Sequence, residues 1–287
     1  MLNKLVRQLG ALALTAILGG LLTAALVRNS PGFDADERQL DPRLDAASQA
    51  AIRAGHAANH DILRFYLHQI GGTLHGDFGM SPSLNRPIRE LIAARLPVTF
   101  RLMGFGVAAA WGLALAAAIA SVLCRRPIFG RVSAAAGACS LCLPSAVIAI
   151  GVFSVGGPVG VVIPLVLFPR LFETVRSVLR DAYSRPHVVT ARAKGVAPAR
   201  ILLRHALPVC LPELLALAGI SVIMAFGVAI PVETLCDVPG LGQLAWQAAT
   251  ARDLPLLVTL TLLIAILTQV VNAASDWLTS GLERATA

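Results

Sequence analysis

The sequence predicts an all-α integral membrane protein with six transmembrane helices. Of its 287 residues, 56% are hydrophobic and only 14% are charged, whereas soluble domains carry about 25% charged residues. Aromatic residues make up only 5%, which favours helices packed through small side chains over a β-barrel with aromatic girdles. Six apolar stretches also approach the roughly 20 residues that a spanning helix needs. They are Leu9–Val27, Leu102–Cys124, Val132–Val155, Val159–Leu179, Leu211–Ile230 and Leu254–Ala274.

The first and fourth of these stretches need separate justification. The first follows "MLNKLVRQ" and is longer than the roughly 7–15 residues of a signal-peptide core, so we expect it to remain as an uncleaved helix. The fourth contains Arg170, Glu173 and Arg176 in its second half. Their spacing of three residues predicts one polar helix face, which either leaves the membrane or lines a cavity.

The distribution of basic residues predicts that both termini lie in the cytoplasm, since cytoplasmic loops carry an excess of Lys and Arg. With the N-terminus inside, the cytoplasmic segments are 1–8, 125–131 and 180–210. They hold eleven Lys and Arg residues and a single acid, Asp181. The short external segment 231–253 holds one basic residue and three acids. The pattern therefore predicts a multi-pass protein with residues 180–210 in the cytoplasm.

Three parts of the chain follow from this topology: a tail and first helix (1–27), an external loop or cap (28–95), and a core of five helices (96–287). The external loop contains a predicted amphipathic helix, since apolar residues recur there every three to four positions. His56 and His60 lie four residues apart in this loop and could face a soft metal ion from one helix side. No Cys or carboxylate cluster lies nearby, so we interpret the two histidines as ordinary solvated positions and predict no metal site.

The cytoplasmic segment "TARAKGVAPARILLRHALP" (190–208) is basic and is broken by glycine and proline. Pro186 suits the first turn of a helix because its missing N–H is unpaired there in any case. We expect this helix to reach Lys194 and to end with Gly195 at the C′ position. Pro198 then starts a second short helix that ends at Leu207. Two short helices held on membrane spans would form a rigid element for docking to a soluble partner.

Two other classes of function were compared with docking. A membrane-tethered helix-turn-helix that binds nucleic acid would need a third helix, for which the segment has no room. An intramembrane enzyme would need a motif such as H-E-x-x-H or G-x-S-x-G, and neither occurs. A P-loop needs Gly-Lys followed by Ser or Thr, but the only lysines, Lys4 and Lys194, follow Asn and Ala. If ATP powers this protein, another subunit must hydrolyse it.

The segment "VTARAKGV…RHALP" resembles the cytoplasmic loop of permease subunits in binding-protein-dependent ABC importers. The consensus of that loop is Glu-Ala-Ala, three residues, Gly, nine residues, Ile-x-Leu-Pro. With Gly195 as the glycine, Leu207 and Pro208 fall on the Leu-Pro, whereas Val189 occupies the acidic slot. "TARAKG" is the form seen in the dipeptide, oligopeptide and nickel branch. Similar stretches are "YLHQIGGTLHGDFGMS", "RPIRELIAARLPVTFRL" and "ETLCDVPGLGQLAWQAATARDLPLL".

The resemblance implies a type I ABC importer permease fold, and the long first external loop is typical of the B-type subunit. The stretch from Pro144 to Asp181 is shorter than is usual in the branch. The family's coupling helix, which sits in a groove of the ATPase subunit, maps onto the loop 180–210. The residues carried over to ATPase coupling are Thr190, Ala191, Arg192, Ala193, Lys194, Gly195, Arg200, Arg204, His205, Leu207 and Pro208.

The implied partners are a second homologous permease, two cytoplasmic ATPases, an external solute-binding protein and membrane lipid, with no nucleic acid. The implied location is the bacterial inner membrane. The resemblance implies no catalytic residue and no cofactor, and it leaves the substrate-binding residues unidentified. The solute is expected to be a short peptide, with nickel or a metal chelate as the alternative.

Overall fold

The computed structural model describes residues 10, 14, 18, 19, 22, 71, 72, 77–124 and 142–286. Several predictions fall on other parts of the chain. Most of the first span, the amphipathic helix of the external loop, His56 and His60, the basic flanks 1–8 and 125–131, and the first half of the third span lie outside the described residues.

The described residues are almost entirely helical. In chain order the elements are a hairpin of β1 (Met80–Ser81) and β2 (Arg86–Pro87), then α1 (Ile88–Cys124), α2 (Ser145–Ser154), a 3-10 turn (Val159–Val161), α3 (Val162–Tyr183), α4 (Pro186–Ala193), α5 (Pro198–Ile201), a π-helical turn (Leu202–Ala206), α6 (Leu207–Leu235), α7 (Leu241–Thr250) and α8 (Leu254–Thr286).

Three helices in the described part are long and apolar enough to cross a bilayer: Ile88–Leu123, Pro198–Leu235 and Leu254–Gly281. They coincide with the second, fifth and sixth predicted spans and extend beyond them. In the third predicted span the described helix is α2, which has only ten residues. It begins after Pro144, whose ψ of 139° is extended and not helical.

The helix α3 occupies the fourth predicted span, and its polar face is confirmed. Arg170 and Glu173 are exposed, and Arg176 is half-buried. The opposite side is buried and apolar, as it includes Leu167, Leu171, Val175 and Leu179. This segregation makes α3 amphipathic, in contrast to α6, which is apolar over most of its length.

The chain divides into two compact units, and the larger comprises residues 97–243 and 270–287. In this unit α6 packs along α2 and α3. Glycines bring its helices close together. A Cβ atom on Gly106 would lie 2.6 Å from Ile163, and one on Gly219 would lie 2.7 Å from Ser275. Small residues at helix contacts are typical of membrane helices, which associate through close van der Waals packing.

The smaller unit comprises residues 1–96 and 244–269, and it contains the β1–β2 hairpin. Met80 pairs with Pro87 and Ser81 with Arg86. The intervening four-residue loop ends at Asn85, whose positive φ of 52° is tolerated better by asparagine than by most residues. This short hairpin is an element that helical periodicity did not predict.

Candidate functional site

The helix α4 forms the first half of the basic segment that the sequence predicts to be cytoplasmic. It begins at Pro186, and the preceding residue Arg185 is extended, with ψ of 150°. The Thr190 hydroxyl donates a hydrogen bond to the Pro186 carbonyl at 3.1 Å. Proline at the first turn and this bond to a helix carbonyl fix the start of α4 locally.

A Schellman motif ends α4. The Gly195 N–H donates to the Arg192 carbonyl at 3.0 Å, and the Val196 N–H donates to the Ala191 carbonyl at 3.3 Å. Gly195 adopts φ of +75°, a left-handed conformation that glycine adopts with little cost. The predicted C′ position of Gly195 is therefore confirmed.

A small apolar core holds α4 against α5. Val188, Ala191 and Ile201 are buried, and Tyr183 and Val196 pack against them. Val196 is the residue after the Schellman glycine, where an apolar contact back to the helix commonly accompanies the motif. The two helices thus form one packed element that presents its other side chains outward.

Most of the residues assigned to coupling lie on the surface of this element. Ala191 is buried in the small core, and His205 and Leu207 are half-buried. The exposed members are Thr190, Arg192, Ala193, Lys194, Gly195, Arg200, Arg204 and Pro208. Four of them are cations, and the Arg192 guanidinium lies 4.8 Å from the centroid of the Tyr183 ring, which supports that side chain by a cation–π contact.

Two exposed apolar side chains lie among these cations. Val189 is 51% exposed and Leu203 is 58% exposed. A surface that combines apolar and basic side chains fits a groove with an apolar floor and an acidic rim better than it fits a purely ionic partner. The arrangement is suited to docking a protein.

The second half of the segment differs from the prediction. A separate helix that ended at Leu207 was expected, but α5 passes through the π-helical turn directly into α6, so that Pro198–Leu235 is one continuous helix. The Leu207 N–H donates to the Leu202 carbonyl, five residues back. Pro208 has no N–H and would crowd the carbonyl four residues earlier in a regular helix. The wider π turn next to it absorbs this defect without a break.

A second cluster of contacts, centred on Glu233, was not predicted. Glu233 is fully buried at the end of α6. Its Oε1 accepts a hydrogen bond from the Thr99 hydroxyl at 2.7 Å, and its Oε2 accepts one from the Gly242 N–H at 2.6 Å. The Thr99 hydroxyl in turn accepts the Leu241 N–H at 2.8 Å. The carboxyl group therefore satisfies donors at the first turn of α7, where a negative group is favoured.

Two glycines make this geometry possible. A Cβ atom on Gly240 would overlap the Glu233 carboxyl group, and one on Gly242 would lie 2.6 Å from the backbone of Ile230. A Pro-Gly-x-Gly sequence (239–242) is typical of a turn, but it does not by itself indicate that the turn depends on a carboxyl group seven residues earlier. The spacing Glu-x6-Gly-x-Gly (233–242) is the sequence pattern from which this contact could have been predicted.

In the smaller unit, Asp253 joins the hairpin to the start of α8. Its Oδ2 accepts hydrogen bonds from the hydroxyls of Ser81 and Ser83, at 2.5 and 2.7 Å. Its Oδ1 accepts the Leu256 N–H at 3.1 Å, which is an N-cap interaction. Asp253 is thus both a helix cap and an anchor for a loop 170 residues away in sequence.

No metal site is predicted from the sequence, and the two histidines that were considered for one are not among these residues. His56 and His60 lie outside the described part of the chain. Within the described part, no group of three or more His, Cys, Asp or Glu side chains is arranged to hold a metal ion.

Comparison with known proteins places these features in context. The sequence profile of the family described as "Binding-protein-dependent transport system inner membrane component" matches residues 108–287. The chain is 25% identical to the oligopeptide transport system permease protein AppB of Bacillus subtilis, over 89% of this chain and 90% of that protein. It is 26% identical to the glutathione transport system permease protein GsiC of Escherichia coli, over 96% of each chain. The family match includes both the α4–α5 element and the Glu233 turn.

Proposed function

The chain belongs to the family of binding-protein-dependent transport system inner membrane components, the permeases of ABC importers, and from this premise we propose that it forms half of a translocation pathway for short peptides. The match over residues 108–287, which contains the docking element and all three apolar spans except the start of Ile88–Leu123, carries this proposal. The names of the relatives, oligopeptide and glutathione permeases, support peptide as the substrate class.

The proposed partners follow from the division of labour in such a transporter. A second, similar permease supplies the other half of the pathway, and two cytoplasmic ATPases supply the energy. An external solute-binding protein delivers the peptide. The exposed cations of the segment 180–210 and the excess of basic residues in the flanking loops support a cytoplasmic position for the α4–α5 element.

The proposed mechanism is alternating access. Closure of the ATPases on ATP moves the α4–α5 element, and because α5 is continuous with α6, this movement is passed into the membrane helix. The bundle then opens outward to receive peptide and returns inward when the ATPases separate. This chain contributes the docking element and the helices, while the partner subunits hydrolyse ATP.

Gly195→Asp tests the docking role. No atom lies within 4 Å of a Cβ placed on Gly195, and both Asp and Asn tolerate a positive φ better than other residues. Gly195→Asn is therefore a matched control of the same size without charge. We expect the Asp variant to reach the membrane in normal amounts but to lose ATP-driven peptide uptake in proteoliposomes, while the Asn variant keeps most of it. Normal uptake by the Asp variant would refute docking through this surface.

The alternative substrate is nickel or a metal chelate, whereas the names of both relatives refer to peptides. The nucleic-acid alternative is disfavoured by the continuity of α5 with the apolar helix α6. A recognition helix must project into the major groove, whereas this one runs into the membrane.

A further inference from the structure

The exposed side of α3 carries a row of polar side chains. Arg170, Glu173, Ser177 and Arg180 are all exposed. At 3.6 residues per turn they fall within an arc of about 80° on the helix surface. The opposite side, which includes Leu171, Phe172 and Val175, is buried within the larger unit. The packing of α3 on α6 therefore fixes the direction in which the polar row faces.

The helix α3 is long enough to cross a lipid bilayer, although it is not one of the three helices that are also apolar enough. The 22 residues of α3 extend about 33 Å, close to the roughly 30 Å of a hydrocarbon core. Arg170 and Glu173 are the ninth and twelfth residues of the helix and so lie near its middle. Charged side chains at this depth avoid lipid and face water-filled cavities or other protein.

No ion pair joins the charges of this row to another residue in the described part of the chain. The Arg170, Glu173 and Arg180 side chains form no hydrogen bond or ion pair with other described residues. Their only neighbours in the row are each other, at the spacing of three or four residues. Arginine binds carboxylates with a planar, two-pronged geometry, and Arg170 presents this group without a carboxylate to hold it.

We propose that the polar face of α3 lines the water-filled pathway and that Arg170 receives the carboxylate of the passing peptide. This proposal rests on the proposed function. Free peptides carry a terminal carboxylate, so its chemistry matches an exposed guanidinium near the middle of the path. Glu173, one turn away, limits the net positive charge of the face. Such a balance suits transport, in which binding must be strong enough to admit the solute but weak enough to release it.

Water access is tested by labelling with a membrane-impermeant maleimide. The five native cysteines are replaced, and Ser177→Cys is compared with Ile220→Cys in the complete transporter in proteoliposomes. Both residues are exposed and lie inside their helices, as the sixteenth of 22 residues in α3 and the fourteenth of 29 in α6, but the residues one turn from Ile220, Ala216 and Met224, are apolar. We expect Ser177→Cys to be labelled at least about tenfold faster and to be protected by peptide substrate. Equal rates would overturn the proposal, as would labelling of Ser177→Cys only when the second permease is absent, because that face would then be a subunit contact.

The carboxylate contact is tested with a tripeptide and its C-terminal amide, both first shown by titration to bind the isolated solute-binding protein. We expect Arg170→Gln to slow uptake of the free acid about tenfold, as loss of one charged hydrogen bond implies, and to leave uptake of the amide unchanged. Arg86→Gln removes an exposed cation outside the pathway and should alter neither. An equal loss of both peptides in Arg170→Gln would overturn the contact. Failure of the unmutated transporter to import either peptide would instead refute the proposed function.

Discussion

Glu233→Ala removes the group that holds the turn between α6 and α7. Glu233 accepts hydrogen bonds from the Thr99 hydroxyl and from the Gly242 N–H, and all three residues are buried. Each buried donor left without an acceptor costs about 1–3 kcal/mol. We therefore expect the free energy of unfolding to fall by about 2–6 kcal/mol. For a chain of this size such a loss corresponds to a decrease in Tm of about 5–20 °C.

Glu233→Gln separates the shape of the side chain from its acceptors. Glutamine replaces one carboxylate oxygen with an NH2 group, which can only donate hydrogen bonds. The NH2 group can donate to the Thr99 hydroxyl, but it cannot pair with the Gly242 N–H, because an N–H is also a donor. With its oxygen turned toward Gly242, it satisfies the turn at a cost of about 1 kcal/mol. The expected order of stability is therefore Glu, then Gln, then Ala.

Thermal unfolding of the purified protein in nanodiscs measures these differences, and hydrogen exchange of the Leu241 and Gly242 amides locates them. Glu213→Ala is the matched control, since it removes an exposed carboxylate from the same helix and should change stability by about 0.5 kcal/mol at most. If Glu233→Ala unfolds at the same temperature as Glu213→Ala, the reasoning about the buried carboxyl group is wrong.

Three further predictions concern other contacts. Val188→Asp, which buries a charge in the core of the α4–α5 element, should expose that segment to trypsin, whereas Val189→Asp at the neighbouring exposed position should leave its resistance unchanged, and equal cleavage of both variants would refute the buried position of Val188. Gly106→Ala should lower Tm in nanodiscs because of its contact with Ile163, while Gly104→Ala, which has open space, should not; equal Tm values would contradict the packing. Asp253→Ala should speed hydrogen exchange in the β1–β2 loop at least about tenfold by releasing its serine donors, and unchanged protection there would show that the loop is held by other contacts.

Features that depend on neighbours in sequence were predictable. Gly195 and the start of α4 at Pro186 follow from local backbone preferences, and they were predicted correctly. The polar face of α3 followed from its spacing of three residues. Hydropathy alone was enough to find the three apolar spans.

Features that depend on residues distant in sequence could not be predicted. The bond between Ser81 and Asp253 joins positions 172 residues apart, and that between Thr99 and Glu233 joins positions 134 apart. Neither hydrogen bond leaves a periodic pattern in the sequence from which it could be predicted. The continuity of α5 with α6 was missed because Pro208 favours a helix start, whereas the π-helical turn just before it accommodates the proline inside a continuous helix. Only the three-dimensional path of the chain decides between the two.

The helix Pro198–Leu235 is continuous, so a rotation at one of its ends moves the other end. Its 38 residues extend up to about 57 Å at 1.5 Å per residue, so a tilt of about 10° at the docking end would carry the far end through about 10 Å. The π-helical turn lies close to the docking end, so the helix would pivot near that end. Under the proposed mechanism, a small movement of a bound ATPase would therefore become a larger movement at the other end of the helix, which lies at the buried carboxyl group of Glu233.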